Sequence, residues 1–145
     1  MHITLETDYA VRIVYCLACK RIRMDAKAIS EETGVTLRFS LKILRKLVAS
    51  GLVRSYKGTH GGYELARPLE ELTLYDVLET VEGPYVFSRC VSPDFECSRR
   101  QSNCVPCKFQ RIYNDISLMV QQRLTAVKFA DLIDCSSAGT NPKEE

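Results

Sequence analysis

The sequence predicts a mainly α-helical fold with one small β-hairpin: a winged helix-turn-helix followed by a long C-terminal helix. Three observations predict this fold. Two short capped helices are joined by a turn that contains Gly34, a glycine-rich hairpin pattern follows the second of them, and a long apolar stripe at helical spacing lies towards the C-terminal end. With 145 residues and 46% apolar composition, the chain is long enough to bury one core and carry an appended element.

The same patterns divide the chain into four parts that overlap slightly. We expect a winged helix-turn-helix over residues 1–83 and a cysteine-rich loop over 84–108. A long helix with a short terminal helix is expected over 105–135, and a disordered polar tail over 136–145.

The first helix is expected to be capped by Thr7 or Asp8, because either side chain can accept a hydrogen bond from a free N–H group of the first turn. Apolar residues then recur at helical spacing. Cys16 and Cys19 lie beside this stripe, and we interpret both as small buried side chains.

The next two helices form the predicted helix-turn-helix. Asp25 caps a helix over Ala26 to Thr33, and Gly34 ends it where the chain must turn left-handed. Thr36 then caps a third helix that runs to about Ser50.

The third helix carries two faces. Its predicted core stripe is Leu37, Leu41, Leu44 and Val48. Arg38, Lys42 and Arg45 follow i, i+4, i+7 spacing with Lys46 alongside, so they project together on a neighbouring face. A DNA major groove accepts such a face, because arginine can bond guanine and lysine can meet phosphates.

A hairpin follows the third helix directly, which is typical of a winged helix. Leu52 to Lys57 and Tyr63 to Ala66 resemble strands around a glycine-rich turn that holds His60. The candidate DNA-binding residues are Thr36, Arg38, Phe39, Ser40, Lys42, Arg45 and Lys46 on the third helix, and Lys57, Thr59 and His60 in the wing.

Charge is distributed unevenly, although the net charge is only +2. Residues 1–66 hold eleven basic and six acidic side chains, whereas residues 67–145 hold nine and twelve. From Arg38 to Lys57 there are six basic residues and no acidic one. A solvated helix face usually mixes both signs, so this run favours a polyanion partner, and we predict double-stranded DNA.

The C-terminal half contains two predicted helices of different character. A capping box of Thr73 and Asp76 predicts a short helix over Leu74 to Glu82, stopped by Gly83. The later stripe comprises Phe109, Ile112, Ile116, Met119, Val120 and Leu124. It is about 30 Å long and too large for the winged helix to cover, so it predicts a homodimer through this helix.

Four of the seven cysteines fall in one polar loop, with the spacing Cys90-x6-Cys97-x6-Cys104-x2-Cys107. A loop this polar cannot pack itself, which favours a bound metal or cluster. We favour an iron–sulfur cluster over structural zinc, because zinc ribbons usually have two C-x2-C pairs and only one is present. A thiol–disulfide switch, which needs only two of the four thiols, stays open as a third reading.

Four segments together resemble the Rrf-type family of bacterial winged-helix regulators, especially the iron–sulfur members of the IscR and NsrR kinds. They are TDYAVR, GLVRSYKGTHGGYELA, LTLYDVLETVEG and the cysteine loop ahead of the long helix. The resemblance covers roughly residues 1–134. It implies a homodimer joined by the long helix, DNA binding through the third helix and wing, and an iron–sulfur cluster that tunes operator binding.

The resemblance also implies the cluster ligands Cys90, Cys97 and Cys104, each gap being one residue longer than is common in the family. The fourth ligand is left open between Cys107, at the position of the IscR-type histidine, and Asp8 of the partner subunit, as in NsrR-type proteins. We favour Cys107, because a thiolate is the commoner iron ligand. Leu41 stands where IscR-type proteins can carry a glutamate, so the operator is not transferable.

These observations favour a cytoplasmic homodimeric regulator, expected to be a repressor that senses redox state, nitric oxide or iron–sulfur status. An adaptor that binds protein and holds structural zinc is the alternative from another class. An enzyme is disfavoured, because no nucleotide-binding glycine motif and no nucleophile–base pattern is present. No apolar run reaches the roughly 18 residues of a membrane span, and no apolar leader is evident.

Overall fold

The computed structural model describes residues 3–98 and 107–133. Its elements are α1 (Leu5–Lys20), α2 (Ala26–Thr33), α3 (Leu37–Ala49), β1 (Val53–Tyr56), β2 (Gly62–Leu65), α4 (Leu74–Glu82), a 3-10 turn (Arg89–Val91), α5 (Lys108–Thr125) and α6 (Phe129–Leu132). This is the predicted winged helix-turn-helix with a long helix after it. Cys104, the last cysteine Cys135 and the predicted tail lie outside the described residues.

The core lies between α1, α2 and α3 and is closed by β1, α4, the residues before α4 and one residue of α6. Its fully buried apolar side chains include Ile13, Val14, Ile29, Ile43, Leu44, Leu47, Leu72, Val77 and Phe129. Apolar residues at helical spacing on three crossing helices therefore meet in one cluster, as the amphipathic patterns predict.

Most predicted helix caps are confirmed. The Asp25 carboxylate accepts a hydrogen bond from the Ala28 N–H at 2.8 Å, and Gly34 ends α2 in the left-handed region at φ 68°. At α4, Thr73 and Asp76 each accept a hydrogen bond from the other's backbone N–H, at 3.2 and 2.8 Å. These caps depend only on neighbours within three residues, which is why local sequence predicts them.

The predicted start of α1 was wrong. The helix begins at Leu5, and its cap is Thr4, whose hydroxyl accepts a hydrogen bond from the Thr7 N–H at 3.3 Å. Thr7 is buried inside the first turn, and Asp8 forms an ion pair with Arg12 at 2.8 Å. The prediction that Cys19 is buried was also wrong, because its side chain is exposed. Cys16, on the same helix, is half-buried.

The wing is a two-stranded antiparallel hairpin in which Val53 pairs with Leu65 and Tyr56 with Gly62. Met24, before α2, joins it as an isolated bridge through two hydrogen bonds with Tyr63, at 3.0 and 2.7 Å. Gly62 has φ 145°, and a Cβ there would lie 2.6 Å from the Met24 carbonyl oxygen. Glycine at this position therefore lets the loop before α2 contact the wing.

The segment after α5 returns to the winged helix. The Phe129 N–H donates to the Leu72 carbonyl at 2.9 Å, and the Leu74 N–H donates to the Val127 carbonyl at 2.9 Å.

Over the described ranges, no helix is both long enough and apolar enough to cross a membrane.

Candidate nucleic-acid interface and cysteine segment

One exposed surface of α3 holds four of the seven DNA-binding residues predicted on the third helix. Leu37, Arg38, Phe39, Leu41, Lys42 and Arg45 line it as one open concave surface, which we call the α3 face. It lies immediately after the turn that ends at Thr36, whose hydroxyl caps the helix by accepting from the Phe39 N–H at 3.5 Å. The basic side chains therefore project from one side of a capped, rigid helix.

The predicted core stripe of α3 is rotated by about a quarter turn from the observed one. Leu37 and Leu41 are 45% and 41% exposed, whereas Ile43, Leu44 and Leu47 are fully buried. Leu41 thus belongs to the α3 face and not to the core, which corrects the sequence prediction. The predicted stripe left out Ile43 and Leu47, which lie on the side of the helix away from the basic residues.

The prediction that Ser40 contacts DNA was also wrong. It is fully buried, and its hydroxyl donates to the Val35 carbonyl at 3.3 Å. Its side chain therefore faces the core, and we remove it from the candidate DNA contacts.

The two lysines of α3 are already paired with α1. The Nζ atoms of Lys42 and Lys46 lie 3.0 and 2.8 Å from different carboxylate oxygens of Glu6. Hydrogen bonds, first from Lys46 and then from Lys42, hold the pKa of Glu6 below its ordinary value. Sequence reasoning missed Glu6, because nothing local relates a first-turn acid on α1 to a helix about 36 residues later.

The wing presents Lys57, Thr59 and His60 at its exposed tip, where the sequence placed them. Arg23 supports this tip: its guanidinium lies 3.4 Å from the centre of the Tyr56 ring, and its Nη1 donates to the His60 carbonyl at 3.2 Å. Arg23 is a second residue that sequence reasoning missed. Its contacts stiffen a turn that otherwise consists largely of glycine and polar residues.

In the described part of the cysteine-rich loop, residues 84–98 and 107–108, two of the predicted cluster ligands lie near the start of α5. Cys90 lies in the 3-10 turn and is half-buried, and its carbonyl accepts a hydrogen bond from Gln110 Nε2 at 2.7 Å. Cys107 immediately precedes α5 and, with Gln110 and the neighbouring Val91, lines one cavity. Cys97 is exposed.

Thiols are the donors that an iron–sulfur cluster uses, so the residue types fit such a group. Within residues 3–98 and 107–133, no three His, Cys, Asp or Glu side chains gather as a metal site. Cys104 lies outside those ranges. Asp8, the other proposed fourth ligand, is held by Arg12 on the exposed side of α1. The ligand set remains a prediction.

The family model for Rrf2, described as an iron-dependent transcriptional regulator, matches residues 3–135. The chain belongs to the Rrf2 family. It is therefore a helix-turn-helix protein of a family of transcriptional regulators, and the resemblance stated from the sequence motifs is confirmed.

Among curated relatives, protein aau3 of Rhizobium meliloti is 37% identical over 91 residues, which are 62% of this chain and 59% of that relative. Another relative, from Mycobacterium tuberculosis, is matched over 53% of its length. The chain thus spans little more than half the length of these two relatives.

Two solved structures share the fold. IscR from T. potens has a TM-score of 0.68 and 20% identity, covering 91% of this chain and 85% of that one. CymR, described as the global cysteine regulator of B. subtilis, has a TM-score of 0.70 and 22% identity, covering 91% of this chain and 95% of that one. At these identities the likeness concerns the Rrf2 fold alone.

Proposed function

We propose that this protein is a homodimeric repressor that binds double-stranded DNA through the α3 face and the wing. The observation that carries the proposal is the α3 face itself, where Arg38 and Arg45 stand exposed beside Phe39 and Leu41 on a capped helix. Arginine can read guanine in a major groove, and apolar side chains can meet thymine methyl groups. The wing tip, with Lys57 and His60, suits contacts to the flanking backbone.

Arginine substitutions test the reading helix. Arg38→Ala and Arg45→Ala are each expected to weaken binding to an operator selected from random duplexes by about 1 to 3 kcal/mol, if they read bases. Lys20→Ala, at the end of α1, removes the same charge away from the α3 face and should leave affinity unchanged. Operator affinity equal to wild type in both α3 variants would remove α3 as the reader.

We further propose that the cysteine segment holds an iron–sulfur cluster that controls operator binding. Cys90, Cys97, Cys104 and Cys107 would hold it, with Asp8 of the partner subunit as the alternative fourth ligand. Such a group would supply a centre sensitive to oxidant, nitric oxide or iron supply. The support is the donor chemistry, the placement of Cys90 and Cys107 at the start of α5, and membership of a family described as iron-dependent.

The cysteine-rich loop directly follows α4, whose last residue, Glu82, contacts the start of α1 in the winged helix. Its carboxylate accepts hydrogen bonds from the hydroxyls of Thr4 and Thr7 at the start of α1. The same turn of α1 carries Glu6, which pairs with α3. Ordering of the segment after Gly83 would therefore act on a chain of contacts that ends at the recognition helix.

A thiol–disulfide switch without a cluster is the second candidate. It is favoured by the free thiols of Cys90, Cys97 and Cys107 and by the fold likeness to CymR, one structure of which, from Staphylococcus aureus, is described as an oxidized form. Two of the thiols would be oxidised to one disulfide by an oxidant, with loss of two protons and two electrons.

Anaerobic purification separates the candidates. A brown protein with matching iron and sulfide counts, lost in Cys90→Ser and Cys97→Ser, supports the cluster. A colourless protein whose peptides show a reversible disulfide on oxidation supports the switch. Zinc found by elemental analysis, together with no affinity for random duplex at low salt, would instead support the adaptor.

A further inference from the structure

Glu6 lies between the two lysines of α3, the proposed DNA-reading helix. Its carboxylate bridges Lys42 at 3.0 Å and Lys46 at 2.8 Å, and its side chain is only 24% exposed. Both lysines remain within reach of solvent on the side of α3 that carries Arg45. One fixed negative charge is therefore shared by two positive charges at the proposed DNA surface.

The need for an acid at a helix start does not explain this arrangement. Acidic side chains in the first turn stabilise a helix through its dipole, but Asp8 already provides one there. Asp8 pairs within α1, with Arg12, whereas Glu6 reaches across to another helix. By contrast, Arg38 and Arg45 have no ion-pair partner in the part of the chain that the structure describes.

We propose that Glu6 is a specificity-determining residue for DNA binding: it holds Lys42 and Lys46 away from the phosphate backbone and so lowers affinity for non-operator DNA. This inference rests on the proposed function of α3 as the reading helix. It assigns opposite roles to two kinds of basic residue on one surface. The arginines are free to read bases, and the lysines are neutralised in advance.

The physical reason lies in how non-specific binding arises. Affinity for any duplex comes from lysines and arginines that neutralise phosphates and release counterions. A lysine held at 3 Å by a partly buried carboxylate must share or break that pair before it neutralises a phosphate. The carboxylate also repels the backbone directly. Base contacts lose less from this charge than phosphate contacts do, so the ratio of operator to non-operator affinity rises.

The test is Glu6→Gln, which keeps the size of the side chain and removes its charge. Binding to a random-sequence duplex should tighten about 10-fold at low salt, since two phosphate contacts are restored. The slope of log affinity against log salt should steepen by about 1 to 2, at about 0.9 per phosphate. Operator affinity should rise less, so the specificity ratio falls.

Glu32→Gln is the matched control, because Glu32 forms an equally short ion pair, 2.8 Å, with Lys20 away from α3. It changes net charge by the same amount and should leave the salt slope unchanged. An unchanged or weaker non-operator affinity in Glu6→Gln, or the same gain in Glu32→Gln, overturns the inference.

A second substitution makes the result independent of the folding of one variant. Lys42→Met should cost little non-operator affinity in the wild-type background but several-fold in the Glu6→Gln background, because only there is the lysine free. An equal cost in both backgrounds contradicts the role of Glu6. If the wild type binds neither operator nor random duplex, the proposed function is wrong. If the wild type binds DNA and the Glu6 variant binds it equally well, only the inference about Glu6 is wrong.

Discussion

At the scale of single residues, Glu82 joins the end of α4 to the start of α1. Its Oε1 accepts hydrogen bonds from the hydroxyls of Thr4 and Thr7 and from the Thr4 backbone N–H at 3.3 Å. The bond from Thr4, followed by that from Thr7, holds the pKa of Glu82 below its ordinary value. The charged form is thus favoured by folding.

This contact predicts a pH-dependent stability. A carboxyl whose pKa is lowered on folding contributes stability above its unfolded pKa, and the contribution is lost as pH falls through the folded value. We expect Glu82→Gln to lower the free energy of unfolding by about 1 kcal/mol at pH 7, a modest figure because the residue is exposed. The difference from wild type should shrink as pH falls below the ordinary carboxyl pKa and vanish once pH lies below the lowered pKa of the folded state.

Urea unfolding at a series of pH values measures this difference. Glu70→Gln is the control, since Glu70 is exposed and makes no hydrogen bond within the described residues. A loss of stability that is equal at pH 7 and at acid pH would show that Glu82 acts through packing and not through its charge.

At the scale of elements, the four-residue helix α6 is anchored by one side chain. Phe129 is fully buried in the core, and its N–H donates to the Leu72 carbonyl. A helix this short has no stability of its own, so it forms because the segment packs on the residues before α4. The sequence predicted a short terminal helix before residue 135, but nothing local predicted its docking.

Removal of the anchor should therefore be costly. Phe129→Ala is expected to lower the free energy of unfolding by about 3 to 5 kcal/mol, through lost burial and the cavity left behind. That is a large share of the roughly 5 to 15 kcal/mol typical of a domain. Leu132→Ala, at an exposed position of the same helix, should cost under about 1 kcal/mol. Similar urea midpoints for the two variants would contradict the anchoring role.

At the scale of the whole molecule, α5 leaves an apolar stripe in contact with solvent. Phe109, Ile112 and Met119 are 66%, 52% and 63% exposed, whereas Ile116, Val120 and Leu124 are half-buried. Exposed apolar residues along one helix suit a second copy of the same helix. A dimer would also present two α3 faces, which must match operator half-sites about 34 Å apart.

Charge placed in the stripe should break this dimer. Ile112→Glu and Met119→Glu are each expected to weaken dimerisation by at least about 2 kcal/mol, roughly 30-fold, because a carboxylate would be buried without a partner. Sedimentation equilibrium measures the change, and Gln122→Glu on an exposed polar position of α5 is the control. A wild type that sediments as a monomer at micromolar concentration would refute the dimer.

Whatever depends on near neighbours in the chain was determined by the sequence. The caps at Asp25, Thr36 and Thr73, the turn at Gly34 and the hairpin all follow from side chains that bond or shape backbone within a few residues. The cysteine spacing and the family motifs are local in the same sense, and they indicated a regulator of the Rrf2 family.

Only the tertiary structure decided which distant groups meet and which residues of α3 are buried. Leu41 and Ser40 exchange their expected environments, because the side of α3 that faces the core depends on how α1 and α2 cross it. The pairing of Glu6 with Lys42 joins residues 36 positions apart. Such contacts arise from helix packing, which no stretch of a few residues encodes.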